Sequence, residues 1–399
     1  MRRYTVLGVL ALLVLLVPVA ALLLSCGGGG GSGSGSSDGS GTNAGTVSIS
    51  VTDAKPKLPD NVKNVFITFD EVQVHKAGGG WISLPVVAPA PHTIDLLQFS
   101  NGTTTQLVPP VRLESGKYTQ VRIVVSDARL VTENGDEFQL IVPSGKLKTD
   151  KDFDFEVHGG GAVDLVVDFD LSQSIVVTGG GSQKFMLKPV LHIVETLEAA
   201  TIQGSIPEDA FGSATEATVT VWWDKDTSCN LDENVDEIYT QVVVEKADPN
   251  FEIFWLVPNE AYIVQIDVGG STFFFTVPGT SGGVCQKVQP GVIYALGLAT
   301  IQGSIAPGTF GGSTQATVTV LFDPNGDGLS DPYADDKEFT QATVTKPASG
   351  AAAFSISVFP SQPYVVKVEV NSILKYQEAI PANKLPAGTT FQLNGGNPI

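Results

Sequence analysis

The chain of 399 residues is short of basic residues, histidine and cysteine: 23 Lys and Arg stand against 42 Asp and Glu, with 4 His and 3 Cys, for a net charge of −19. Phosphate binding needs clustered cations, so the deficit argues against nucleic acid or an anionic membrane surface as partner. Three cysteines in this length cannot build a disulfide framework. The scattered His75, His92, His158 and His192 supply no H-E-x-x-H and no metal-ligand pair at i, i+4. Charged residues make up only 16% while hydrophobic ones reach 42%, too apolar a balance for a disordered chain. Helical periodicity is missing as well, and without a segment long enough for a crossover helix a parallel α/β sheet is not expected. At about 150 residues per domain, the length suggests two or three domains.

One long apolar run is present, Val6 to Leu24, behind Arg2 and Arg3 and directly before Ser25-Cys26. Basic residues, apolar run and small residue before a Cys form the grammar of an export signal. By length alone the run could also span a bilayer as a simple N-terminal anchor. Leu23-Leu24-Ser25-Cys26 resembles the bacterial lipobox. That resemblance implies cleavage before Cys26, diacylation of its thiol and acylation of the new N-terminus, and two or three acyl chains hold a protein on a membrane where one is marginal. Gly27 follows where an Asp would signal inner-membrane retention, so the implied destination is the outer membrane of a two-membrane bacterium. Residues 1–25 then form the signal peptide, and 26–45 the lipidated Cys and a Gly/Ser-rich tether that cannot bury a core.

Beyond residue 45 the dominant period is two. Val47-Ser48-Ile49-Ser50-Val51 and Phe153-Asp154-Phe155-Glu156-Val157 alternate as half-buried strands do, with Gly78-Gly79-Gly80, Asn134-Gly135 and Gly179-Gly180-Gly181 as breaks. Only Ile94 to Ser100 reads as a short helical turn. Val65 to Lys76, Ile94 to Leu97, Ser115 to Arg122 and Leu187 to Leu191 resemble, in order, the signatures of the bacterial lipoprotein domain called domain of unknown function 4382. The resemblance covers 46–198. It implies an exported, usually lipidated protein and carries over no catalytic residue.

The remainder repeats itself. Ala200-Thr201-Ile202-Gln203-Gly204-Ser205-Ile206 recurs as Ala299-Thr300-Ile301-Gln302-Gly303-Ser304-Ile305, 99 residues on, and Pro258 to Tyr262 recurs as Pro360 to Tyr364, 102 residues on. So long a period means tandem domains rather than a solenoid. Each copy, with Ile-x-Gly-x-Ile, an alternating strand, an acidic loop and Pro-x-x-x-Tyr, resembles the carboxypeptidase regulatory-like, transthyretin-like β-sandwich, which implies a spacer or accessory fold. The expected fold is all-β, three tandem β-sandwich-like domains at 46–198, 199–297 and 298–399.

Asp323, Asn325, Asp327, Asp331 and Asp335 make the sharpest candidate site. Oxygen donors at loop positions one, three and five with Gly at six follow the grammar of a Ca²⁺ loop, although position twelve is Ala334 and Asp335 comes one residue late. The alternative is a solvated Asp/Gly turn. The counterpart loop from Asp224 to Asp232 is interrupted by Lys225, Ser228 and Cys229 and reads as a poor calcium site. Cys229 and Cys285 are the cysteines left once Cys26 is lipidated, and an oxidising compartment pairs them. Matches to G-x-S-x-G at 35–39 and 279–283 lack the strand-to-helix elbow a serine nucleophile needs. No catalytic residue is expected. Asp164, Asp168 and Asp170 read as a solvated strand face rather than paired glycosidase carboxylates. Trp222-Trp223, Trp255 and Phe273-Phe274-Phe275 crowd the first repeat; neighbouring Trp222 and Trp223 point to opposite faces, so one is outside unless another domain covers it.

These readings lead to a non-catalytic, lipid-anchored envelope protein with a binding or structural role at the bacterial cell surface or in the periplasm. Its expected partners are the membrane, through the anchor, and a protein or glycan ligand. The alternatives are an enzyme, or an accessory subunit of one, acting on extracellular glycans or peptides, and a calcium-dependent adhesion module.

Overall fold

Strict alternation puts Val47, Ile49 and Val51 of the strand Ala44–Thr52 wholly out of solvent. The computed structural model describes residues 43–399 except 54–57, 59–61, 101, 149–152, 179–183, 189, 282–283 and 329–335, so the apolar leader and Cys26 lie outside the described residues. Among the described residues no helix is long and apolar enough to cross a membrane.

The molecule is all-β. In its first module, Ala44–Thr52 lies parallel to Ala162–Phe169 and antiparallel to Thr105–Glu114, with Leu191–Glu195 on the far edge. A second, nine-stranded sheet is built on the long antiparallel pair Val62–Lys76 and Gly116–Thr132. Their apolar faces close one core, in which Phe69 meets Phe169 edge-on at 5.8 Å. The parallel pair needs no helix, because the chain between its strands runs out through the other sheet.

The two repeats fold alike. In the first, Asn250–Leu256, Ala200–Ser205 and Ile293–Leu296 form a three-stranded sheet beside a four-stranded one ordered Glu237–Glu245, Glu216–Trp223, Tyr262–Val268, Ser271–Val277. The second repeats that order with Ala352–Val358, Ala299–Ile305, Thr390–Gln392 and with Lys337–Thr345, Gln315–Phe322, Tyr364–Val370, Ile373–Ile380. The shared motifs have physical causes. Gly204 pairs with Phe251 and Gly303 with Phe354 across the strands, and each ring lies over its glycine. A Cβ on Gly204 would sit 2.5 Å from the Phe251 ring, and one on Gly303 2.6 Å from Phe354. Gly204→Ala should therefore cost about 1–3 kcal/mol by overpacking, read as a lowered denaturant midpoint at constant m-value. In Pro-x-x-x-Tyr the buried phenols of Tyr262 and Tyr364 donate to the carbonyls of Val257 and Phe359, at 3.0 and 3.2 Å, pinning the corner that leads into the strand.

Both junctions between modules use one device. Register pairs make Trp223, Tyr239 and Val257 of the first repeat equivalent to Phe322, Phe339 and Phe359 of the second. In the second repeat that face receives Phe273 of the first, with ring centroids 4.6 Å from Phe322 and 4.5 Å from Phe359. In the first repeat it receives His192 of the leading module, stacked on Tyr239 at 4.0 Å. Polar contacts frame each: Lys337 Nζ donates to Gly270 O at 2.7 Å, and Gln173 Nε2 to Ile238 O at 2.8 Å. One buried cluster consequently runs unbroken through both repeats. The face of the second repeat equivalent to Phe273-Phe274-Phe275 carries Tyr376-Gln377-Glu378 instead.

Candidate functional site

Each repeat ends its second strand on a buried aspartate, Asp224 or Asp323, that organises the following loop. Asp323 accepts backbone N–H groups of Gly326 at 2.8 Å and Gly328 at 3.0 Å. Asp224 accepts those of Ser228 and Cys229, both at 3.0 Å. The loops share a backbone path: Gly326 and Gly328 are left-handed at φ +68° and +71°, and Thr227 and Cys229, 99 residues earlier, are left-handed at +56° and +62°. Repeat two uses glycine there, whereas repeat one holds side chains in a conformation that L-residues disfavour by roughly 1–2 kcal/mol. Cys229 is bonded to Cys285, with 5.3 Å between the Cα atoms. The bridge ties that left-handed residue to the short ribbon Thr280–Ser281/Val284–Cys285, beside Asp224.

Of the candidate calcium donors, Asp323, Asn325 and Asp327 lie in one turn, where Asn325 Oδ1 accepts the Asp327 N–H at 3.0 Å; Asp331 and Asp335 fall outside the described residues. Among the described residues carboxylates converge in the loop that the sequence made the poorer of the two. Oxygens of Asp224, Asp226 and Asp236 lie within 4.8 Å of one another. By the register of the strand that follows, Asp236 is the counterpart of Asp336, a position sequence reasoning gave no weight in the first repeat. Its carboxylate accepts N–H groups of Lys225 at 3.0 Å and Asp232 at 2.8 Å. Burial pushes the Asp224 carboxyl above its ordinary value, whereas hydrogen bonds from Ser228 hold Asp226 below it.

The strand Ala162–Phe169 corrects another expectation. Asp164 is exposed, but Asp168 and Asp170 are 3% and 0% exposed and do not form a solvated face. The chain after that strand packs against the first repeat, which covers them. Asp170 accepts the Ser172 N–H at 3.0 Å and the Gln173 side-chain amide at 2.6 Å, and burial raises its carboxyl. Trp223 lies under the leading module's His192, while Trp222 donates from Nε1 to Gln265 at 2.9 Å. Of the phenylalanine trio only Phe274 is exposed.

His192, one of four histidines without a sequence signal, sits at the first junction, 8% exposed, with Nε2 2.9 Å from the Tyr239 carbonyl. Burial pulls its imidazole down to about 4. The unfolded chain, near 6.5, binds the proton more tightly, so this group's contribution is complete above pH 6.5 and is lost as pH falls toward 4. Its full size is on the order of 3 kcal/mol. Asp170, with a raised carboxyl, works in the opposite sense. Denaturant midpoints of the parent and His192→Gln measured from pH 7 to 4 isolate the histidine: the gap between them should narrow on acidification.

Residues 44–189 match the family model described as a domain of unknown function, DUF4382. No curated protein matches the chain. Among solved structures, the TIE protein of Bacillus anthracis is 11% identical with a TM-score of 0.17, covering 90% of this chain; the chain spans 58% of that protein. The Streptococcal ancillary pilin is 10% identical at a TM-score of 0.17, with 87% of this chain and 98% of that one covered. The fimbrial anchor protein Mfa2 from Porphyromonas gingivalis is 8% identical at 0.16, covering 82% and 98%. Likeness at this level carries no argument about function.

Proposed function

We propose that the chain is a non-catalytic, lipid-anchored envelope protein, held through Cys26 at the bacterial outer membrane, whose three sandwiches act as a structural or binding element at the surface or in the periplasm. The two following modules are read as transthyretin-like spacers. The observation that carries this reading is the pair of buried junctions: a ring of each module is seated in the aromatic face of the next, so the modules hold their mutual placement. Support for the anchor is the Leu23-Leu24-Ser25-Cys26 motif and the Gly/Ser-rich stretch after it. Labelling with a fatty acid followed by membrane fractionation tests it. Label should enter the parent and not Cys26→Ser, and the variant should leave the membrane fraction; an unlabelled parent ends the proposal.

Calcium-dependent adhesion is the second reading, favoured by the acidic register common to the two repeats. Thermal scans of residues 46–399 with calcium and with chelator decide it. A calcium-dependent rise that disappears in Asp323→Ala/Asp327→Ala supports the loop, and no rise removes it.

A further inference from the structure

Clefts adjoin both junctions, and the one beside Phe274, Phe275, Pro360 and Ser361 at the second is about 850 Å³. Phe273 occupies the face formed by Phe322, Phe339 and Phe359. At the equivalent face of the first repeat, where His192 is seated, a cleft of about 770 Å³ lies between the leading module and the first repeat, with His192 and Trp223 in its wall. Asp154, Glu195, Glu198, Glu237 and Glu260 line it with one cation in the wall, Lys225; Asp154 is also paired with Lys117 at 2.8 Å, outside the lining.

Acidic crowding by itself selects no ligand, but two further features do. The Tyr239 carbonyl only accepts, so His192 Nε2 carries the proton; Nδ1 is then a lone-pair acceptor without a partner among the described residues, on a nine-tenths buried ring that lines the cleft. Trp223 moreover already holds an ammonium. Lys225 Nζ lies 3.4 Å from the centre of its ring and 3.1 Å from Glu237. Burial and the neighbouring Glu198 charge raise the Glu195 carboxyl, as happens where like charges lack a counter-ion.

We propose that this cleft binds an alkylammonium cation, the head group of a lysine side chain or of a polyamine, its stem along Trp223 and its N–H donors toward His192 Nδ1 and Glu195. Lys225 is then a resident competitor rather than part of the binding set. This inference needs only the junction and stands whether or not Cys26 is lipidated.

The test uses the 46–399 fragment labelled at tryptophan nitrogen, with spermidine and a short lysine peptide as probes and the Trp223 indole signal as readout. Both probes should move that signal at low salt, and a neutral diol of similar length should not. Lys225→Ala should tighten binding about fivefold, by freeing ring and carboxylate, an effect that a merely structural lysine would not give. Glu195→Gln and His192→Phe should each weaken it; melting curves check that both variants fold. Binding of the peptide alone assigns a protein partner, and binding of both assigns the shared head group. A silent Trp223 signal, an equal response to the diol, or looser binding by Lys225→Ala overturns the proposal.

Discussion

Phe273→Ala is expected to lower stability by about 3–5 kcal/mol and to split the unfolding of the two repeats into separate transitions. The ring is 1% exposed, and its contacts are with Phe322, Phe339 and Phe359 of the other repeat. Truncation therefore removes the central core contact between the repeats and opens a void there, leaving of the ring contacts only Phe275 against Phe359 at 5.6 Å. Two polar contacts would remain, Lys337 to Gly270 and Gln362 to Phe274. Both are exposed hydrogen bonds to backbone, worth too little to keep two sandwiches cooperative. Differential scanning calorimetry reads the result directly. A single transition displaced by less than about 1 kcal/mol would mean that Phe273 is not what couples the two cores.

Removing the Cys229–Cys285 bridge should cost about 2–4 kcal/mol, since the bridge closes 56 residues of sequence separation and the chain-entropy estimate for such a loop is near the top of that range. Relief at Cys229 offsets part of the loss, because the freed residue can leave its left-handed conformation. Guanidinium unfolding of the parent with and without reductant, beside Cys229→Ser/Cys285→Ser, supplies the measurement. The parent under reductant and the double variant should coincide. Equal midpoints for oxidised and reduced parent would show that the bridge adds nothing to the fold.

Much of the fold could be read from residues alone because each signal was local. Alternation at Val47 to Val51 marks a strand whatever it pairs with, and a glycine recurring at 204 and 303 marks a close approach before the approaching ring is known. The site was less legible because its determinants are not local. Asp164 and Asp168 belong to one strand, yet one is exposed and the other buried, since only the far end of that strand is covered by another module. His192 carries no motif, and its meaning comes from a carbonyl 47 residues away. The kinship of the two acidic loops was partly visible, but the spacing rules of a calcium loop hid it. Aligning Gly326 and Gly328 with Thr227 and Cys229 would have shown that two non-glycine residues stand at glycine positions, and aligning the strands that follow would have brought Asp236 into view with Asp336.

The second repeat has its receiving face filled by Phe273, while its own equivalent of the phenylalanine trio is Tyr376-Gln377-Glu378. There the Tyr376 hydroxyl donates to Glu378, whose carboxylate also accepts the Asn394 N–H at 2.8 Å. The tandem is thus asymmetric in the way a plug and socket are. A duplication splicing another copy behind the second repeat would set an aromatic socket against a phenol and a carboxylate. Gene duplication can lengthen this molecule only if substitution follows it: Glu378→Phe and Tyr376→Phe are the minimal edits that would let a further copy seat.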